Sequence, residues 1–304
     1  MQSVEFIMCH GSANRFVMID AVAKSFDFVG VDAFVREICS KTGSDGVLFL
    51  VKCGAEGQDM AMRMFNTDGS EAEMCGNGMR CIARLADEEY LHTDKYTLYS
   101  GGQAYPICRC EALAEGVPAY GVEIKINSAS RDFTLSSGEF VGQPIAELNP
   151  NLTFTYLNLG NPHIVAQVES VDIDELCAMG ERVKELKDIF PNGVNVSVMQ
   201  HLGGENIFVA TFERGVGLTA SCGTAMTASS TTAALLGLCR FGATINVRNR
   251  GGFVRCVCHR DEKFVTELIG NATYEYKATL SADGEVTITE EYPVEKTAWE
   301  ELVK

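Results

Sequence analysis

Two short stretches that begin a helix with Cys-Gly decide the fold of this chain. The first reads Met74-Cys75-Gly76-Asn77-Gly78-Met79-Arg80, and the second reads Ser221-Cys222-Gly223-Thr224-Ala225-Met226-Thr227. A Cys-Gly dipeptide alone is unremarkable in a chain with 12 Cys and 29 Gly. Here, however, each dipeptide follows an extended or turn-like segment and opens a helical stretch. The sequence therefore predicts an internal repeat.

The remaining segments predict a mixed α+β fold. Branched and aromatic residues, which strands prefer, fill short runs such as 46–51, 121–126 and 207–212. Stretches with apolar residues at helical spacing are fewer than the strand-like runs. They predict helices at Val31 to Lys41, Gly78 to Tyr90, Ile173 to Leu186 and Thr224 to Leu238.

Bulk composition limits the class of protein. The 304 residues are 46% hydrophobic and 22% charged, which suits two globular domains. The net charge of −16 excludes a nucleic-acid partner, because phosphate binding needs clustered Lys and Arg. The N-terminus does not resemble a signal peptide, and no run of 18 apolar residues occurs. We expect a soluble, cytoplasmic protein without membrane contact, in which most cysteines are buried thiols.

A cysteine at a helix start is suited to proton chemistry. Unpaired N–H groups and the helix dipole favour a thiolate there, and the same N–H groups can hold a carboxylate. Inversion of a stereocentre without a cofactor needs two acid/base groups on opposite faces of one carbon. Cys75 and Cys222, facing one another across a cleft, would meet this need; the plain alternative for both is core packing. No complete dinucleotide fingerprint is present, and we expect no cofactor.

Two further pairs, Cys108-Arg109-Cys110 and Cys256-Val257-Cys258, raise the question of a metal site. On a strand, residues i and i+2 point to the same face, so each pair could be adjacent. Structural zinc more often uses Cys-x2–4-Cys spacing with further ligands, and no second ligand set has suitable spacing. We therefore predict no metal.

The ordered motifs of the chain resemble those of the diaminopimelate epimerase family. The resemblance runs from Gly11 to about Tyr276. It is carried by segments 11–16, 43–46, 65–71, 73–81, 160–163, 194–196, 213–215 and 222–224, which include Gly160-Asn161-Pro162-His163 and Glu213-Arg214-Gly215.

The resemblance implies two pseudo-symmetric domains, each a curved mixed sheet wrapped around a central helix. Residues 1–118 would form the N-terminal domain, completed by a C-terminal strand at 271–280. Residues 119–270 would form the second domain, and 281–304 an extension with no evident catalytic part. The resemblance also suggests a homodimer.

The resemblance assigns roles residue by residue. Cys75 and Cys222 match the acid/base pair, and His163 and Glu213 match groups that set the protonation of the thiols. The α-carboxylate cradle would comprise Asn14 and the backbone of Gly76, Asn77, Gly223 and Thr224. The far end of diaminopimelate would be held by Asn66, Asn161, Asn195 and Arg214. The non-catalytic alternatives are that His163 is a structural histidine and that Glu213 and Arg214 form a surface ion pair.

Some positions depart from the family pattern. Leu218 stands where a Glu is usual, Ala225 where a Gly is usual, and Arg15 where an Asp is usual. Arg250 stands for a usual Pro. None touches the thiol pair, so the departures concern the substrate more than the reaction. Epimerisation of LL-diaminopimelate to the meso form is the leading hypothesis, and racemisation of another amino acid, such as histidine, is the alternative. An isomerase of the phenazine type and a non-catalytic binding protein are less consistent with two retained cysteines.

Overall fold

The computed structural model describes residues 3–54, 59–126, 133–135, 138–260 and 264–304. Contacts divide the chain into two units. The first comprises Met1–Val122 and Ile269–Lys304, and the second comprises Glu123–Leu268. Both units combine many strands with few helices, so the fold class is α+β, as predicted. The domain limits inferred from the sequence stay a prediction.

Among its described residues, the first part of the chain contains two helices, a π-helical turn and eight strands. In order these are β1 Val4–Gly11, β2 Asn14–Asp20, α1 Val31–Thr42, β3 Gly46–Cys53, β4 Asp59–Asn66, β5 Glu71–Ala72, α2 Gly76–Ala86, the π-helical turn Asp87–Leu91, β6 Lys95–Ser100, β7 Gln103–Ala114 and β8 Val117–Ile126.

Within its described residues, the rest of the chain begins with one additional strand, then repeats this order without the π-helical turn, and finally adds three elements. It contains β9 Phe140–Ile145, β10 Asn149–Asn158, β11 Pro162–Val168, α3 Ile173–Val183, β12 Asn195–Gly203, β13 Asn206–Glu213, β14 Gly217–Thr219, α4 Gly223–Leu235, β15 Thr244–Asn249, β16 Gly252–Arg260 and β17 Phe264–Asn271, followed by β18 Thr273–Leu280, β19 Val286–Glu291 and α5 Pro293–Leu302.

Strand pairing confirms the internal repeat. In the first unit β1 and β2 are antiparallel, β3 is parallel to β2, β4 and β5 follow antiparallel, and β6 after α2 is parallel to β4. In the second unit β10 to β15 follow the same directions, with α4 in the place of α2. The helices that start at Cys-Gly therefore occupy equivalent positions in the two halves.

These two helices are buried on all sides. Every residue of α2 is buried, and so are most residues of α4. By contrast, α1 and α3 bury only one face, as amphipathic surface helices do. The close fit of α2 is visible at Gly78, where a Cβ would lie 2.7 Å from Leu48 Cδ2 of β3. A side chain at this position would require the Leu48 side chain to move.

Strand β18 and the C-terminal extension that follows it belong to the first unit. Strand β18 pairs antiparallel with β1, and β19 pairs with β18. Helix α5 is held by Glu295, which accepts two hydrogen bonds from Arg84 of α2, at 2.6 and 2.8 Å. Trp299 is 5% exposed, and its ring lies 5.3 Å from that of His10. The extension is therefore tied directly to the buried helix of this unit.

The four predicted helices are present, with shifted ends. Helix α2 begins at Gly76, two residues before the predicted start, because the Cys75 side chain caps it. The predicted end at Tyr90 included the π-helical turn. Helices α3 and α4 end earlier than predicted, at Val183 and Leu235. Among the described residues, no helix is long and apolar enough to cross a membrane.

Candidate active site

Cys75 is the N-cap residue of α2. It has extended backbone geometry, and its Sγ accepts a hydrogen bond from the Gly78 backbone N–H at 3.5 Å. The first N–H groups of a helix have no partner within the helix. Those that follow Cys75 belong to Gly76 and Asn77, the two residues predicted to cradle a carboxylate.

Asn14 and Asn77 lie together beside this helix start. The Asn77 amide donates to Asn14 Oδ1 at 3.4 Å, and Asn14 Nδ2 donates to Asp45 Oδ2 at 2.9 Å. The structure thus brings the predicted cradle residues of the first unit together. Asn66, predicted to bind the far end of the substrate, ends β4, and its Nδ2 donates to Ser70 Oγ at 3.1 Å.

Arg80 is a fully buried cation one turn into α2. Its guanidinium donates to the Gly76 carbonyl, to Asn77 Oδ1 and to Ser12 Oγ, each at 3.1 Å. It also donates to the Asn271 carbonyl at 3.2 Å. These bonds fix the start of α2. The sequence motif contains Arg80 but does not indicate this role.

Cys222 is the corresponding N-cap residue of α4, and it is buried. Its Sγ lies 3.4 Å from Thr224 Oγ1. Glu213, at the end of β13, accepts a hydrogen bond from Thr219 Oγ1 at 2.6 Å. A role for Thr219 was not foreseen, because only the fold of β14 onto β13 brings its hydroxyl to this carboxylate.

The thiols differ in their electrostatic environment. Burial raises the pKa of Cys75, while the N–H groups of Gly78 and Asn77 and the charge of Arg80 oppose the rise. Burial also raises the pKa of Cys222, and the negative charge of Glu213 raises it further. The expectation that a helix start favours a thiolate is therefore only partly met: the N–H groups act in that direction, but desolvation outweighs them.

His163 is fully buried and lies next to Thr224. Its Nε2 is 3.1 Å from Thr224 Oγ1, 3.2 Å from Asn161 Oδ1 and 3.3 Å from Asn195 Nδ2. Burial, with the positive charge of Arg214 adding to it, lowers the pKa of His163 to about 3, so the ring is neutral at pH 7. Its Nδ1 is buried and has no hydrogen-bond partner among the described residues.

Three of the four polar residues predicted for the far end of the substrate lie in the second unit, whereas Asn66 lies in the first. Asn161 donates to Thr224 Oγ1 at 3.2 Å. Asn195 accepts from the Arg214 backbone N–H at 2.8 Å, and the Arg214 side chain is exposed and donates to the Asn192 carbonyl. Glu213 and Arg214 therefore bond to other groups, and the described ion pairs do not join them.

The departures from the family pattern have structural roles of their own. Leu218 packs against the hydrophobic cluster around α3. Ala225 is fully buried in the first turn of α4. Arg15 forms a two-bonded ion pair with Glu275, at 2.8 and 2.9 Å. Arg250 is exposed.

The described residues contain no candidate metal site, and the cavity of the first unit lies apart from the predicted site residues. No group of three or more His, Cys, Asp or Glu side chains in the described ranges could hold a metal ion. A cavity of about 930 Å³ in the first unit is lined by residues such as Phe26, Phe34 and Lys277, and by none of the predicted site residues.

Comparisons with known proteins agree with these motifs. The family model described as diaminopimelate epimerase matches residues 6–104 and 155–275. The diaminopimelate epimerase of Clostridium acetobutylicum is 35% identical over 92% of this chain and 86% of its own. That of Lactiplantibacillus plantarum is 36% identical over 99% and 98% of the two chains.

Solved structures show the same fold at low identity. A phenazine biosynthesis protein of the PhzF family from Bacillus anthracis matches with a TM-score of 0.65 and 16% identity, over 92% of this chain and 99% of that one. A hydroxyproline epimerase from Agrobacterium vitis matches with a TM-score of 0.59 and 12% identity, over 98% and 96%. On the matched family model and its full-length relatives, the chain belongs to the diaminopimelate epimerase family.

Proposed function

We propose that this protein interconverts LL- and meso-diaminopimelate, with Cys75 and Cys222 as the acid and the base. Family membership makes the chain an isomerase. The proposal rests on one repeated feature. In each unit a buried helix begins with a cysteine as its N-cap residue. The reaction requires these thiols to take opposite faces of one α-carbon.

Backbone N–H groups would bind the reacting carboxylate. Those of Gly76 and Asn77 begin one helix, and those of Gly223 and Thr224 begin the other. Negative charge spreads from the α-carbon onto the carboxylate as the proton leaves. Fixed donors at helix starts stabilise that charge without reorganising, which is the largest contribution many active sites make.

The two thiols would take different roles. Glu213 beside Cys222 favours its protonated form, which suits a proton donor. Cys75 receives N–H donors and lies near the cation of Arg80, which favour its thiolate and suit a base. The reverse reaction exchanges these roles.

His163 would communicate with Cys222 through Thr224. The hydroxyl of Thr224 lies within hydrogen-bonding reach of both Cys222 Sγ and His163 Nε2. A buried ring nitrogen without a protein partner, such as Nδ1, is a feature of functional sites. With a pKa of about 3 the imidazole is a poor proton acceptor at pH 7, so its part would be to position the Thr224 hydroxyl beside Cys222 by hydrogen bonding.

The second amino-acid group of diaminopimelate would be held by Asn66, Asn161, Asn195 and Arg214. A guanidinium fork suits a carboxylate, and amide side chains can both donate and accept. The bonds that they would make to a second carboxylate and amine favour diaminopimelate over substrates with apolar or imidazole side chains.

The decisive assay is turnover of LL-diaminopimelate in D₂O. We expect meso product carrying solvent deuterium at the inverted α-carbon, since the returned proton comes from a thiol that has exchanged with water. Cys75→Ser and Cys222→Ser should each lower kcat by far more than about tenfold, because each removes one of two required groups.

The contrary outcomes separate the parts of the proposal. Either serine variant within about tenfold of the wild type would contradict the thiol mechanism. Faster inversion of L-histidine than of LL-diaminopimelate would overturn the substrate alone. Arg214→Leu should remove the preference for diaminopimelate while retaining slow inversion of other amino acids.

We also propose that the enzyme works without pyridoxal phosphate, as a cytoplasmic homodimer. The cysteines are thiols in the structure, which suits a reducing compartment. Full activity after treatment with hydroxylamine would support independence from pyridoxal phosphate, and light scattering would give the oligomeric state. If the treatment abolished activity and added pyridoxal phosphate restored it, independence from pyridoxal phosphate would be contradicted.

A further inference from the structure

Cys108 and Cys110 lie on β7 and take no part in the proposed reaction. Their sulfur atoms are 3.0 Å apart, without a disulfide bond, and both residues are partly exposed. Alternation along a strand puts them on one face, but it separates their Cα atoms by about 6.6 Å. The side chains therefore lean towards each other. The pair falls between the segments that match the family model, 6–104 and 155–275.

The neighbouring strands provide the space for this contact. Cys108 is paired with Lys95 of β6 on one side and with Gly121 of β8 on the other. A Cβ at Gly121 would lie 2.5 Å from Cys108 Sγ and 3.1 Å from Cys110 Sγ. Only glycine at this position leaves room for both sulfur atoms over β8.

The same row of residues also supplies a positive charge. Residues paired directly across neighbouring strands point to the same face, so Lys95 shares a face with Cys108. A nearby cation favours the thiolate, which is the reactive form of cysteine. Partial exposure allows a small oxidant to reach the pair.

We propose that Cys108 and Cys110 form a redox-sensitive dithiol, which a peroxide closes to a disulfide within β7. Metal binding suits this pair less well than oxidation. A structural zinc ion needs four donors, and no cluster of three possible donors occurs among the described residues. Two thiols already in contact need only lose two electrons and move about 1 Å closer to reach bonding distance.

The reaction balances in two steps. One thiolate attacks a peroxide oxygen, the O–O bond breaks, and the sulfur becomes a sulfenic acid as hydroxide leaves. The second thiolate attacks that sulfur, the S–S bond forms, the S–O bond breaks, and a second hydroxide leaves. The protons of the two thiols convert both hydroxides to water. A small dithiol reductant reopens the bridge by exchange.

The test is peptide mapping of the full chain after dilute hydrogen peroxide. Remaining thiols are alkylated, and trypsin then cuts after Arg109, between the two cysteines. We expect the two resulting peptides to stay joined until a reductant is added. Cys108→Ser and Cys110→Ser, which change a single atom, should each abolish this joined pair.

Gly121→Ala tests the packing argument. The added methyl group must displace the sulfur atoms, and a misplacement of about 1 Å can slow an intramolecular reaction about a hundredfold. Lys95→Gln should also slow closure, with an unchanged circular dichroism spectrum. Cys108 and Cys110 alkylated as fully as in untreated protein, while other cysteines are oxidised, would overturn the proposal. So would closure of Gly121→Ala at the wild-type rate.

Discussion

Thr224→Val tests whether the thiol of the second unit is coupled to His163. Valine keeps the shape of threonine and removes only the hydroxyl. That hydroxyl lies 3.4 Å from Cys222 Sγ, 3.1 Å from His163 Nε2 and 3.2 Å from Asn161 Nδ2. The substitution therefore leaves buried polar groups without a shared partner.

The size of the effect follows from these contacts. Leaving a buried donor or acceptor without a partner costs about 1–3 kcal/mol. If the cost falls on the transition state, kcat drops by about 5- to 150-fold. Thr224→Ser restores the hydroxyl and should recover most of the rate.

The chain offers a matched control on the same helix. Thr232 is buried, and its hydroxyl has no hydrogen-bond partner among the described residues. Thr232→Val should therefore leave kcat unchanged. The assay is coupled detection of meso-diaminopimelate over a range of pH. If Thr224→Val matches the wild type in kcat and in pH profile, the hydroxyl does not link Cys222 to His163, and that part of the mechanism is wrong.

Three further predictions concern charge. Glu213→Gln should lower the pKa of Cys222, so alkylation of this thiol at pH 8 should be faster than in the wild type. Mass spectrometry can measure the alkylation rate, and an unchanged rate would show that the carboxylate does not act on the sulfur. His163 has a folded pKa of about 3, below its unfolded value near 6.5, so the unfolded chain binds the extra proton between these values. The free energy of unfolding should fall as pH drops through this window, and this group contributes about 1.4 kcal/mol per pH unit. When urea unfolding is repeated over a range of pH, His163→Gln should therefore show a weaker dependence of the free energy of unfolding on pH. Glu295→Gln breaks a mostly buried ion pair and should cost about 3 kcal/mol in the same assay, whereas Glu301→Gln, at an exposed position of α5, should cost almost nothing.

The sequence predicts the parts of this molecule that depend on local pattern. The helix starts at Cys75 and Cys222 can be predicted because each Cys-Gly follows an extended or turn-like segment and opens a helical stretch. The repeat follows from that observation alone. The strands predicted at 46–51 and 207–212 also have a local signal, since branched and aromatic residues fill them.

Contacts between distant segments cannot be predicted in this way. The ion pair of Arg84 with Glu295 joins residues 211 positions apart, and nothing in either segment marks it. Thr224 was assigned to a backbone cradle, whereas its hydroxyl also contacts His163, 61 positions away. The raised pKa of the thiols was missed for a related reason: the helix start is a local feature, but desolvation depends on everything packed around it.

The repeat explains why one chain can hold an acid and a base of the same chemical type. Duplicated helix starts alone would give two thiols of equal pKa, with neither favoured as the proton donor. The two halves differ at the residues next to each sulfur. The cation of Arg80 lies one turn from Cys75, and the carboxylate of Glu213 acts on Cys222. In the proposed mechanism, the helix start of each unit would bind carboxylate, and the unequal charges would decide which thiol gives up its proton first.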